Sequence, residues 1–79
     1  MEMTPAQCRA ARALLDMSQG ELATAASVGM STVVDFERNR REVSAEKIQS
    51  IRIALEIAGV MFTNGSEPGV KLRKKGKRK

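Results

Sequence analysis

The chain contains no histidine, tryptophan or tyrosine, and Cys8 is its single cysteine. One cysteine excludes an intrachain disulfide, and without histidine the usual zinc ligand sets are missing. No nucleophile–base pair or phosphate-binding glycine loop is recognisable, so we expect no catalytic residues, no cofactor and no metal. Cys8 recurs at helical spacing with apolar residues and is interpreted as a small buried side chain.

Aromatic residues and long apolar runs are also scarce. Phe36 and Phe62 are the only aromatics, so the core must be aliphatic and rich in alanine, which suits closely packed helices. The longest apolar runs are far too short for a membrane span, and no signal-peptide pattern is present. We therefore expect a cytoplasmic protein without a membrane partner. A domain of 79 residues buries only roughly 60% of its unfolded surface, so dimerisation would add stability.

Positive charge is concentrated at the C-terminus. The formal net charge is +5, but the last nine residues, KLRKKGKRK, hold seven of the 14 cations and none of the nine anions. Residues 1–70 therefore carry seven cations against nine anions, a net charge of −2. A basic tail of this kind is typically disordered and attracts polyanions by counterion release without reading their sequence. The alternative is a tail that only keeps the protein soluble.

Capping signals predict where the first helix begins. Thr4 and Gln7 form a capping box, and Pro5 suits the first helical position. The helix is expected to extend to about residue 15. The methionines that precede it, Met1 and Met3, are expected to be mobile.

Two shorter helices follow, separated by a tight break. Ser18 and Glu21 form a second capping box, which starts a helix over about residues 19–26. After the break at 27–29, a third helix is predicted over residues 30–38, with Asn39 as a left-handed stop. Helices this close together cross steeply, so the second is pushed outward as a short rod about as wide as the major groove of DNA.

A fourth helix is predicted behind the N-cap Ser44, ending at about Ala58 with Gly59 as terminator. Its apolar residues form two stripes, and this face is wider than a lone small domain usually buries. The core stripe comprises Ile48, Ile51, Leu55 and Ala58, and the second stripe comprises Ile53 and Ile57.

The C-terminal segment changes to a period of two, which predicts a β-hairpin. Residues 60–63 and 69–73 are the expected strands, and the turn is marked by Asn64-Gly65. Whether the strands pair within one subunit or across two stays open. The expected organisation is a helical domain over residues 1–59, a hairpin over 60–73 that contributes to dimerisation, and a disordered basic tail over 74–79.

The residues across the break match a known family pattern. The series Gln19-x-x-Leu22-Ala23-x-x-Ala26-x-Val28-x-x-Ser31-Thr32-Val33-x-x-Phe36-Glu37-Arg38 resembles the helix-turn-helix of Cro and phage-repressor-type regulators, the Xre family. The flanking helices also fit, so the resemblance covers about residues 4–58. It implies an all-α, lambda-repressor-like four-helix domain, here followed by a short C-terminal β-hairpin.

The resemblance also implies which residues contact DNA. Gln19 occupies a phosphate-contacting place, and the arginines after the third helix are expected to follow the DNA backbone. Arg12 and Glu37 occupy places that often form an internal salt bridge orienting the third helix. The full set of expected DNA contacts is Ser18, Gln19, Met30, Ser31, Thr32, Val34, Asp35, Arg38, Asn39, Arg40 and Arg41.

The third helix has few strong base readers. Met30 and Val34 suit thymine methyl groups, Asp35 suits the cytosine amino group, and the hydroxyls of Ser31 and Thr32 discriminate weakly. The alternative is a merely solvated helix surface.

Two departures from the family pattern affect the backbone. Ser27 replaces the usual glycine, at a cost of about 1 kcal/mol if left-handed, and Gly29 is a weak cap.

These features predict a sequence-specific DNA-binding transcriptional regulator, with RNA polymerase or another protein as further candidate partners. Repression and activation stay equally open. We expect a homodimer held by Ile53, Ile57, Val60, Phe62, Val70 and Leu72. The alternative function is a protein–protein interaction module, an antitoxin or anti-activator, on the same fold; Asp35 and the acidic body favour it slightly.

Overall fold

A computed structural model of the chain describes residues 3–63 and 68–73. Four helices are followed by two strands: α1 Pro5–Leu15, α2 Gln19–Ala26, α3 Met30–Glu37, α4 Ala45–Ala58, β1 Val60–Thr63 and β2 Gly69–Leu72. The predicted fold class, four helices with a C-terminal hairpin, is confirmed. The predicted Asn64-Gly65 turn, the tail over 74–79 and Met1 lie outside the described residues.

Side chains close to each helix start define its first turn. Thr4 and Gln7 form the predicted capping box on α1, and Ser18 and Glu21 form the second one on α2. Each box satisfies two backbone N–H groups that the helix itself leaves unpaired. The N-cap of α3, Gly29, makes no side-chain hydrogen bond, as its lack of a side chain predicts.

The first three helices end in the same way, with a non-glycine residue in the left-handed region. Asp16, Ser27 and Asn39 have φ of 56°, 60° and 55°. After each, the chain folds back so that two successive N–H groups bond to carbonyls of the last helical turn, the Schellman arrangement. Asn39 is therefore the left-handed stop that was predicted.

The core lies between the helices, where α2 packs against both α3 and α4 and α1 contacts α3, α4 and the hairpin. Its fully buried large side chains are Leu22, Val33, Ile51, Leu55 and Val60. Two expectations for this region are wrong. Met3 is buried in the core rather than mobile, because it packs against the cluster ahead of α1, and Ala58 is exposed because α4 ends there.

The hairpin is antiparallel and pairs within one chain, with Val60 opposite Leu72 and Phe62 opposite Val70. Gln7 joins it to α1, since its side-chain Nε2 donates to the carbonyl oxygens of Thr63 at 3.1 Å and Gly69 at 3.0 Å. At the other end of the hairpin, the backbone N–H of Arg73 donates to the Gly59 carbonyl at 2.7 Å. The hairpin is thus part of the same folded unit as the helices.

The residues expected at a dimer contact fall into three groups. Ile53, Ile57 and Leu72 are exposed, with Ile57 at 81%, and Phe62 and Val70 pack partly against the core. Val60 is only 1% exposed. Unlike the other five residues, it lies inside the core of the single chain and not on its surface, where a dimer contact was expected. Within the described ranges, no helix has the length and apolarity needed to cross a membrane.

Candidate nucleic-acid interface

The inner side of α3 is buried against the rest of the domain. Val33 and Phe36 are buried as predicted, and Glu37 beside them is only 2% exposed. Thr32 is also buried, at 6% exposure, so it lies on the inner side of α3 and not on the outer side with Ser31, where it was expected. The spacing contained the signal: Thr32 lies four residues before Phe36 and therefore shares its inward side of the helix.

Glu37 is the centre of a hydrogen-bonded network that ties α3 to α1 and α2. Its carboxylate accepts from Arg12 Nε at 2.7 Å and Nη2 at 2.8 Å, which is a two-pronged ion pair. It also accepts from Gln19 Nε2 at 3.0 Å and from the Cys8 thiol at 3.1 Å. Arg9 donates to the Glu37 backbone carbonyl. Four side chains from two other helices thus fix the end of α3.

The network decides which groups carry charge. Burial by itself raises the pKa of Glu37, but hydrogen bonds from Arg12, Cys8 and Gln19 outweigh it, so its pKa is lowered overall. The hydrogen bond to Glu37 raises the pKa of Arg12. Burial, with the hydrogen bond to Glu37, raises the pKa of the Cys8 thiol. The pair is therefore ionised and the thiol neutral near pH 7, so Cys8 is a poor nucleophile.

The start of α2 was expected to contact phosphate through Gln19. In the structure the Gln19 side chain is turned inward and donates to Glu37. Ser18, also expected at DNA, uses its hydroxyl to accept from the Glu21 backbone N–H at 3.0 Å. The backbone N–H groups of Gln19 and Gly20 precede the first helical hydrogen bond of α2, from Leu22 N–H to the Ser18 carbonyl, and the start of a helix is where an anion is favoured.

The outer side of α3 is open. Met30 is 55% exposed, Ser31 is exposed, and Val34 is half-buried one turn further on. The structure therefore places Met30, Ser31 and Val34 on one outward strip, as predicted. A Cβ added at Gly20 would lie 3.9 Å from Met30 Sδ, so the Met30 side chain extends toward the start of α2.

Arginines gather where α3 ends. Arg38, Arg40 and Arg41 are exposed, as is Asn39 between them. Asp35 and Arg41 form an ion pair, with 2.6 Å between Oδ2 and Nε. Within residues 3–63 and 68–73, neither Arg38 nor Arg40 has an ion-pair partner. Among the described residues, the end of α3 thus presents two cations without an ion-pair partner beside one neutralised pair.

Sequence reasoning missed several contacts at this site and in its support, among them the bonds from Cys8 and Arg9 to Glu37. The pattern revealed neither the inward turn of Gln19, nor the pairing of Asp35 with Arg41, nor the binding of Gln7 to the hairpin. Each depends on a fold-back or on residues distant in sequence, up to 62 positions apart for Gln7 and Gly69. No short-range spacing encodes contacts of that kind.

The inner side of α3 is fixed to α1 and α2, its outer side is exposed, and arginines lie at its end. This arrangement is typical of helix-turn-helix DNA-binding domains. A family model described as helix-turn-helix matches residues 9–59, which is more than half of the chain. The chain belongs to this family, the Xre-type or lambda-repressor-type helix-turn-helix of DNA-binding regulators. A comparison with curated proteins gives no match.

Proposed function

We propose that this protein is a sequence-specific transcriptional regulator that binds duplex DNA as a homodimer, with α3 in the major groove. The observation that carries the proposal is the two-sidedness of α3. Glu37 and Phe36 anchor its inner side, whereas Met30 and Ser31 stay exposed on its outer side. A rigidly held helix with an open polar and apolar strip meets the requirement for reading base edges.

The charge distribution indicates which residues give affinity for any DNA and which residues read the base sequence. Arg38 and Arg40 are exposed at the end of α3 and have no ion-pair partner among the described residues, so their charge is available for phosphate. The C-terminal residues 71–79 add cations that contact DNA without regard to sequence. Readout then falls to the outward strip: Met30 and Val34 against thymine methyl groups, and Ser31 through its hydroxyl.

Selection of bound duplexes from a random pool tests sequence-specific binding. The full chain is compared with residues 1–73, a truncation that keeps β2 and its bond to Gly59 but removes six tail residues. Both forms should enrich the same sequence, and the shorter form should bind it more weakly with a flatter salt dependence. Enrichment of no sequence by either form would refute the proposal.

The dimer contact is proposed at the exposed apolar side chains Ile53, Ile57 and Leu72. Paired half-sites one helical turn apart require two copies of α3, and a small domain gains stability by covering such residues. Ile53→Glu and Ile57→Glu should yield monomers by analytical ultracentrifugation. Leu14→Glu is the matched control, because Leu14 on α1 is 42% exposed against 43% for Ile53. A wild-type chain that sediments as a monomer would remove the dimer from the proposal.

The alternative, a protein–protein interaction module, was favoured by the acid Asp35 on the outward side of α3. The ion pair with Arg41 neutralises that acid and so weakens this argument. Should the pool selection yield no enriched duplex, the interaction module becomes the leading function.

A further inference from the structure

The pairing of Asp35 with Arg41 follows from the way α3 ends. Asn39 takes the left-handed conformation, and the N–H of Arg40 then bonds to the Asp35 carbonyl at 2.9 Å. This reversal returns the chain along α3, so that Arg41 Nε lies 2.6 Å from the Asp35 carboxylate. Arg41 is thereby held beside the same helix that carries the outward strip, although it belongs to the loop.

The pair leaves part of the guanidinium free. An arginine has five N–H donors in a rigid planar fork, and Asp35 engages the one at Nε. Within the described residues, Asp35 is the one acceptor recorded for the Arg41 side chain. The Arg41 side chain is 60% exposed, so its two terminal nitrogens are available to a ligand while Nε is held by Asp35. A planar pair of donors matches two adjacent acceptors.

We infer that Arg41, held in place by Asp35, reads a guanine in the major groove, which makes Arg41 a specificity-determining residue and Asp35 its positioning residue. The inference rests on the proposed DNA-binding function. The guanine edge presents O6 and N7, two neutral acceptors at the spacing of the guanidinium fork.

Charge favours guanine over phosphate as the ligand of this pair. Asp35 and Arg41 together carry no net charge, so little counterion release is gained when they approach the DNA backbone. A carboxylate beside a phosphate also adds repulsion. Guanine acceptors are neutral, so the Asp35 carboxylate meets no such charge repulsion there. A guanidinium already held by Asp35 also loses less conformational entropy on binding than a free arginine side chain does.

Direct reading of cytosine by Asp35 fits the geometry less well. The Asp35 side chain is only 18% exposed, and its Oδ2 already accepts from Arg41. The exposed member of the pair is the arginine. The group that reaches furthest toward a groove is therefore the donor fork and not the acceptor.

The test is a duplex selection with the full chain and four variants, followed by affinity measurements on the enriched site and on single-base changes. Arg41→Ala removes the fork, Arg41→Lys keeps the charge without the fork, and Asp35→Asn keeps the shape but removes the charge. Asp16→Asn is the charge-matched control, since Asp16 is exposed at the end of α1 and forms no ion pair in the described ranges. Thermal melting verifies that each variant folds.

The wild type should prefer guanine at one position of each half-site by about five- to 150-fold, the discrimination of one bidentate arginine. Arg41→Ala should abolish that preference, Arg41→Lys should reduce it because an ammonium lacks the planar fork, and both should leave the other positions unchanged. Asp35→Asn should weaken the same preference while its affinity for duplexes lacking that guanine rises or holds. Asp16→Asn should keep the wild-type preference.

Two results would overturn the inference while leaving the DNA-binding proposal intact. If Arg41→Ala weakens all duplexes alike and lowers the salt slope by about 1, Arg41 contacts phosphate. If Asp35→Asn alters a base preference that both Arg41 variants retain, Asp35 is itself the reader. A wild type that enriches no duplex refutes the DNA-binding proposal, and the inference falls with it.

Discussion

Arg12 on α1 and Glu37 at the end of α3 face each other through two hydrogen bonds of 2.7 and 2.8 Å. The carboxylate is almost fully buried, whereas the guanidinium keeps one-fifth of its surface exposed. Because Cys8 and Gln19 donate to the same carboxylate, one side chain coordinates three elements of the fold. The end of α3 is therefore held in place by the contacts that the Glu37 carboxylate makes with α1 and α2.

Replacing Glu37 by Gln should destabilise the protein by about 3 kcal/mol, the low end for breaking a buried pair, because Arg12 loses its counter-charge. Urea unfolding at constant m-value measures the change. Glu56→Gln is the matched control: it breaks the more exposed pair with Arg52, a contact within α4, and should cost less than about 1 kcal/mol. Equal losses from the two variants would contradict the central role of Glu37.

Acid should weaken the fold through the same carboxylate. The folded pKa of Glu37 lies below its ordinary value, so its contribution is fully present above about pH 4.3 and is lost as the pH falls through the folded pKa. The unfolded chain takes up the proton first, which favours unfolding. The gap in unfolding free energy between wild type and Glu37→Gln should therefore shrink as the pH falls below about 4.3. A gap independent of pH would contradict the lowered pKa.

Gln7 should prove to be a link between α1 and the hairpin as well as a helix cap. Gln7→Glu keeps the capping interaction with the Thr4 N–H but sets a carboxylate against the carbonyls of Thr63 and Gly69. We expect a loss of about 2 kcal/mol and faster amide exchange in β1 and β2, since two part-buried carbonyls lose their donor and face a carboxylate instead. If capping were its main role, Gln7→Glu would match the wild type while Gln7→Ala lost stability.

The stability of the protein should increase when the left-handed residue Ser27 is replaced by glycine. Ser27→Gly relieves the side-chain clash of φ 60° and should raise the free energy of unfolding by up to about 1 kcal/mol. Gly59→Ala is the converse, because Gly59 has φ 120° with no atom within 4 Å of an added Cβ, so its cost is purely conformational. Thermal melting should move Tm up for the first variant and down for the second. A lowered Tm for Ser27→Gly would indicate that the Ser27 side chain contributes more than it costs.

The local signals of the chain predicted the helices to within a residue or two. Thr4 with Gln7 and Ser18 with Glu21 cap the helices they precede, and Asn39 stops the one before it. These interactions span at most a few residues, so they are written in adjacent positions of the sequence. The inward spacing of Val33 and Phe36 was predictable for the same reason, since helical period alone sets which residues share a side.

By itself, then, the amino-acid order determined the number of helices, their ends, the family to which they belong and most, but not all, of the outward side of α3, since Thr32 is buried. Tertiary structure alone decided that Met3 and Val60 enter the core and that Gln7 binds the hairpin. It also decided that Gln19 donates to Glu37 and that Asp35 pairs with Arg41. The physical reason is the range of the interactions. A cap or a helical period acts between near neighbours, whereas burial and ion pairing depend on which surfaces the completed fold brings together.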